Sequence, residues 1–202
     1  MNELSCNNAE LAGMVAEAPV YSHENHGNRF YRFCLHVPRL SGQADILPVL
    51  IPERLTEMVV LGKNVRVHGQ FRSYNNKSGQ GSRLVLVLFA QSVEECGEES
   101  ENRIRLRGTL CKPPVFRHTP LGRSICDMML AVSRKYGRSD YLPVIAWGQV
   151  AAVVSGMAVG DGLAVEGRMQ SRNYNKSTEE GTQVRTAYEI SVMRLLDTLP
   201  EN

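Results

Sequence analysis

Two stretches of this 202-residue chain interleave aromatic rings with cations: SRKYGRSDY at 133–141 and GRMQSRNYNK at 167–176. A ring with an open face stacks on an unpaired nucleobase, and a guanidinium or ammonium beside it neutralises the neighbouring phosphate. Neither task needs a catalytic group. The second half supplies Tyr136, Tyr141, Trp147, Tyr174 and Tyr188 as rings, with Arg134, Lys135, Arg138, Arg168, Arg172 and Lys176 as cations. The competing reading of Trp147 and Tyr141 is that they are core residues whose polar tips find hydrogen-bond partners.

Patterns for other chemistries are missing. Five histidines (23, 26, 36, 68 and 118) do not fall at ligand spacing with any carboxylate. His23 and His26, in the turn-like HENHG, would bind a metal only weakly. There is no GxxxxGK, nucleophile elbow or pair of catalytic carboxylates, so the expectation is a non-enzymatic protein without cofactor or structural metal. Five cysteines (6, 34, 96, 111 and 126) lack a CxxC pair and read as reduced, structural thiols. No stretch has the roughly 20 apolar residues of a membrane span, and MNELSCNNAELAG does not read as a signal peptide, so a cytoplasmic, nucleoid-associated location is expected.

The net charge of +2 is unevenly spread. Residues 1–96 carry nine basic and nine acidic side chains, 97–102 three acids and no base, and 103–202 fourteen bases against nine acids. That gives 0, −3 and +5, and suggests that the two halves do unequal work on a polyanion. The halves are also copies. Shifted by 95 residues, Leu11–Val49 falls on Leu106–Val144 with 14 of 39 positions identical, among them Gly13/Gly108, Pro19/Pro114, Gly27/Gly122, Arg39/Arg134, Asp45/Asp140 and Leu-Pro-Val at 47–49 and 142–144. After short insertions the match resumes at Gly69/Gly167 and at Asn-Lys-Ser, 76–78 and 175–177. Two domains are expected, 1–96 and 103–202, joined by an acidic linker at 97–102 within the Glu-, Gly- and Ser-rich run 94–102.

Each copy reads as all-β. Strands are expected at Leu11–Ala16 and Ile104–Leu110, then after the turns at Gly27 and Gly122, then after Gly42 and Gly137. Leu-Pro-Val there looks buried on both sides, and its proline suggests a strand start. A single short helix follows, Pro52–Val60 or Gln149–Ser155. Strands over Asn64–Tyr74 and Ser82–Ser92, or Gly162–Tyr174 and Gln183–Leu195, complete the copy. Five strands with a short helix between the third and fourth is the order of an OB-fold, so two tandem OB barrels are predicted. An SH3-like barrel would not normally place a helix there.

The run DYLPVIAWG at 140–148, followed by Gly160-Asp161 and VEGRMQSRNY at 165–174, closely resembles the bacterial single-stranded DNA-binding protein family, and LRGTL at 106–110, Pro114 and Gly122 extend the resemblance over most of 103–197. The resemblance implies that Tyr141, Trp147 and Tyr174 stack on bases while Arg134, Arg168 and Arg172, with nearby Lys176, meet phosphates. Copy one departs at the platforms, where Ile46 stands for Tyr141 and Pro52 for Trp147. Tyr74, beside Arg72 and Lys77, is its surviving candidate, with Arg39 and Arg66 weaker ones; Tyr21, Phe30, Tyr31 and Phe33 are expected in the core. On this reading copy one is mainly a structural partner. The implied function is single-stranded DNA binding with little sequence preference, in replication, recombination or repair, with two chains associating to present four barrels. The family's acidic, Phe-terminated tip is not seen in the closing LLDTLPEN. That departure brings forward the alternative of a primosome-like adaptor that binds replication or recombination proteins through its barrels, with weak nucleic-acid affinity.

Overall fold

The computed structural model describes residues 7–76, 84–178 and 181–196, without the side chains of 176 and 178. Two compact units divide the chain: 1–8 with 104–169 and 188–202, and 9–103 with 170–187.

Residues 7–95 hold strands β1 (Asn7–Val15), β2 (Val20–Asn25), β3 (Asn28–Pro38), β4 (Ala44–Pro52), β5 (Asn64–Asn75) and β6 (Leu84–Glu95). They pair in the order β2-β3-β4-β6-β5-β1, and a further β1–β3 pairing closes the barrel. The one parallel contact, β4 with β6, has Val49 opposite Leu88 and Leu50 opposite Phe89. The second copy repeats the plan with β7 (Glu101–Leu110), β8 (Val115–His118), β9 (Ser124–Ser133), β10 (Ser139–Trp147), β11 (Gly162–Thr178) and β12 (Gly181–Leu195). Its order is β7-β11-β12-β10-β9-β8, closed by β7–β9. The OB prediction therefore holds, with one addition. A short hairpin strand, β2 or β8, precedes the second barrel strand of each copy.

Strand pleat sends alternate side chains inward. Phe33, Leu35 and Val37 on β3, and Met128, Leu130 and Val132 on β9, are buried with Leu11, Val67, Leu106 and Val165. Closure demands a close approach. A Cβ on Gly13 would run into the backbone oxygen of His36, and one on Gly108 into that of Ala131. Gly69 and Gly167 meet the carbonyls of Phe89 and Ser191 in the same way. These four positions are among those the duplication keeps, because only glycine lets the strands cross there.

Four expectations change. Pro48 and Pro143 lie mid-strand, opposite Cys34 and Met129. Each stands one residue before its parallel ladder begins, so that ladder does not need the missing N–H. The helix of copy one is a 3-10 helix, Glu53–Met58, whereas copy two forms α1 (Gly148–Val154). Helix α1 buries Ala151 and Val154, one turn apart, and Glu53–Met58 buries nothing, so packing stabilises the α form in one copy alone. Strand β7 takes in Glu101 and Asn102, which leaves 96–100 as the connection between strands. Among the aromatics expected in the core, only Phe33 is there; Phe30 and Tyr31 are half-buried, and Tyr21 is exposed.

Both copies bury the aspartate before the third strand's Leu-Pro-Val against an arginine six residues earlier. Asp45 accepts from Arg39 Nε at 2.6 Å, and from the backbone N–H and hydroxyl of Ser171 at 2.8 and 3.0 Å. Burial alone would raise its pKa, but these donors outweigh burial and hold the carboxyl below its usual range. Asp140 lies 3.4 Å from Arg134 Nε. On the outside of copy two, Glu166 joins Arg105 at 2.7 Å to Arg194 at 3.0 Å, and the two guanidiniums bring its pKa down to about 2. A depressed folded pKa contributes stability that is complete above the unfolded value near 4.3 and lost as pH falls toward 2. Thermal melts should therefore show Glu166→Gln less stable than the parent at pH 7, with a flatter fall in Tm between pH 4.5 and 2; parallel curves would remove Glu166 from the acid response.

Candidate nucleic-acid interface

Strand β10 decides the geometry. Asp140, Leu142, Val144 and Ala146 point inward, and Tyr141, Pro143 and Trp147 outward, while Ile145, on the outward alternation, is covered and only 4% exposed. Tyr141 is 50% exposed and stands opposite the small Ala131 of β9. Trp147, 36% exposed, is the last strand residue before α1, which begins at Gly148 with φ of 57°. Its indole Nε1 donates to Ser191 Oγ at 3.1 Å, so the ring is held by its polar edge against β12. Six residues at about 3.3 Å each put the two rings roughly 20 Å apart along the strand. The core reading of these two aromatics is thus set aside.

Between β9 and β10 the chain turns through Lys135–Gly137, where Tyr136 adopts φ 64° and ψ 36° and is 96% exposed. A tyrosine in the left-handed region is uncommon. The turn is closed by the Arg134 N–H on the Arg138 carbonyl at 2.7 Å, and it presents the Tyr136 ring between Lys135 and Arg138, both exposed.

The predicted cations differ in their freedom to meet a phosphate. Arg168, half-buried, stands on the outward face of β11, with β12 between it and β10, about 10 Å across the sheet. Arg134 turns back on buried Asp140. Further along β11, Arg172 is exposed and Tyr174 half-buried, both in the segment 170–187 that groups with copy one. In copy one, Tyr74 is 48% exposed, and half-buried Arg72 hydrogen-bonds Gln70. Arg39 is committed to Asp45, and Arg66 to Glu10, Glu99 and, at 3.7 Å, Glu94. Those two are scaffold residues. Lys77 and the side chain of Lys176 lie outside the described residues.

Sequence reasoning missed Ser191, the support for the indole, because a lone serine on a strand carries no signal until the β10–β12 register is known. Among the described residues no three His, Cys, Asp or Glu side chains gather as metal ligands, and no helix is long and apolar enough to cross a membrane.

Comparison with known proteins agrees with the geometry. Residues 101–196 match the model of the single-strand binding protein family. The single-stranded DNA-binding protein of Thermus thermophilus is 34% identical over 177 residues, covering 78% of this chain and 64% of that protein. Single-stranded DNA-binding protein A of Bacillus subtilis is 33% identical over 90 residues, 41% of this chain and 51% of its own length. The chain thus spans less than two thirds of the length of these relatives. The crystal structure of the wild-type single-stranded DNA binding protein from Thermus aquaticus shares the fold, with a TM-score of 0.74 at 22% identity over 97% of this chain and 94% of that one.

Because Arg134 faces a buried carboxylate, its loss acts on stability. Arg134→Ala should lower the free energy of unfolding in urea by about 1–3 kcal/mol; an unchanged midpoint would return Arg134 to the set of free cations.

Proposed function

We propose that the chain belongs to the single-strand binding protein family, whose model its residues 101–196 match, and that it binds single-stranded DNA with little sequence preference, in replication, recombination or repair, and catalyses no reaction. One observation carries the reading: β10 presents Tyr141 and Trp147 on the outer face of a closed barrel, with the indole fixed by Ser191. Large rings are costly to leave in water and are normally turned inward. Here the pleat is satisfied without them, because Leu142, Val144 and Ala146 already fill the inner face.

Every base has a π-face, so stacking on such rings tolerates any sequence, and a row of exposed cations fits a backbone of phosphates. Arg168, Lys135 and Arg138 surround the β10 platform, and Tyr136 adds a third ring to it. Arg172 and Tyr174 offer a further cation and ring in the unit of copy one. A base edge is read by polar groups converging in one plane, whereas this face offers rings and cations; little base preference follows. Such a protein would work in the cytoplasm, at the nucleoid.

Trp147 is the only tryptophan, so its emission reports the platform directly. Titration with oligo-dT should quench it, and the affinity should fall as salt rises. Trp147→Ala, followed by anisotropy of labelled DNA, should weaken binding by about 1–3 kcal/mol, or about 5- to 150-fold. No quenching and no anisotropy change at micromolar protein would overturn the proposal and favour a protein-binding adaptor.

A further inference from the structure

Copy one lacks rings at the two β4 positions equivalent to Tyr141 and Trp147, where Ile46 and Pro52 stand. The register shows what happened beside them. In copy two, Trp147 of β10 lies opposite Ile125 of β9. At the equivalent place in copy one, Pro52 of β4 lies opposite Phe30 of β3. A ring thus stands beside the equivalent position, on the neighbouring strand.

The neighbouring strand changes in step. The parallel ladder sets Ser191 opposite Ile145 in copy two and Phe89 opposite Leu50 in copy one, and Ile145 and Leu50 are equivalent. Where copy two has a serine holding an indole, copy one has a second ring. Phe30 and Phe89 lie 5.9 Å apart at 48°, and His23 stacks on Phe30 at 5.1 Å and 20°. Phe30 and Phe89 are half-buried, and His23, on the open strand β2, is exposed.

One cation borders this cluster. Arg32, two residues along β3 from Phe30 and on the same face, is exposed.

We infer that copy one carries a second binding platform, in which Phe30, Phe89 and His23 stack on bases of single-stranded nucleic acid while Arg32 meets its phosphates. The inference rests on the proposed function and adds a site to it. The cluster's correspondence with the Trp147 position and the exposed Arg32 beside it favour nucleic acid over a hydrophobic contact for a protein.

The test makes each platform report separately. In the full chain, Trp147→Phe removes the native fluorophore and Phe30→Trp installs one on copy one, a ring-for-ring change outside the core, with circular dichroism melts to verify folding. Oligo-dT should quench the new tryptophan. In a second variant, Phe30→Ala with Trp147 retained, affinity for a long oligo-dT should fall at least about fivefold and the number of nucleotides occluded per chain should shrink, while Trp147 is still quenched. An unquenched Trp at position 30 together with normal long-oligonucleotide binding by Phe30→Ala would overturn the second platform and leave the proposed function standing. If Trp147 of the unmodified protein is not quenched either and no DNA binds, both fall.

Discussion

A small sheet closes into a barrel only where its first strand comes within backbone contact of its second, and the rest of each copy follows from that approach. Gly13 and Gly108 sit at the crossing, where any side chain would strike a carbonyl of β3 or β9. Once the sheet is closed, the pleat leaves each strand residue one of two places. Inward positions are taken by Leu, Val, Ile and Phe packed with almost no exposure. Outward positions are released from packing, and a ring placed there must be explained by something other than the core.

The same logic separates arginines held by the scaffold from arginines left on outward faces. In each copy an arginine before the third strand is spent on an aspartate with no exposed surface, and in copy one the arrangement extends to the amide and hydroxyl of Ser171. A buried carboxylate without donors would be costly, so these guanidiniums belong to the scaffold. Those left over, Arg32, Arg138, Arg168 and Arg172 among them, stand on outward faces. The two copies share the scaffold arginine and the crossing glycines, whereas outward rings stand on β10 in one copy and on β3 and β6 in the other.

The barrel was legible in the sequence because its determinants are periodic and duplicated. Alternation marked the strands, and the glycines recurred at fixed offsets. The platform on β10 was legible through its resemblance to a family, and alternation within DYLPVIAW already put Tyr141 and Trp147 on one face. What stayed hidden depends on register. Pairing of Phe30 with Pro52, support of Trp147 by Ser191 and capture of Arg66 by Glu10 all join residues at least 22 positions apart in sequence. Copy one reads as lacking rings at the two platform positions, and comparison by position says nothing of what stands on the neighbouring strand. Phe30 and Tyr31 read as core because nothing local shows that the end of β3 projects into an exposed hairpin with β2.

Contact between outward rings and bases is the central claim, and photo-crosslinking tests it most directly. The unmodified protein would be irradiated on oligo-dT and the crosslinked peptides identified by mass spectrometry. Crosslinks on the β10 peptide at Tyr141 or Trp147 are the predicted result, with those on the β3 peptide at Phe30 marking the second platform. Crosslinks confined to peptides without an outward ring, or none under conditions where a known single-strand binder reacts, would contradict the account.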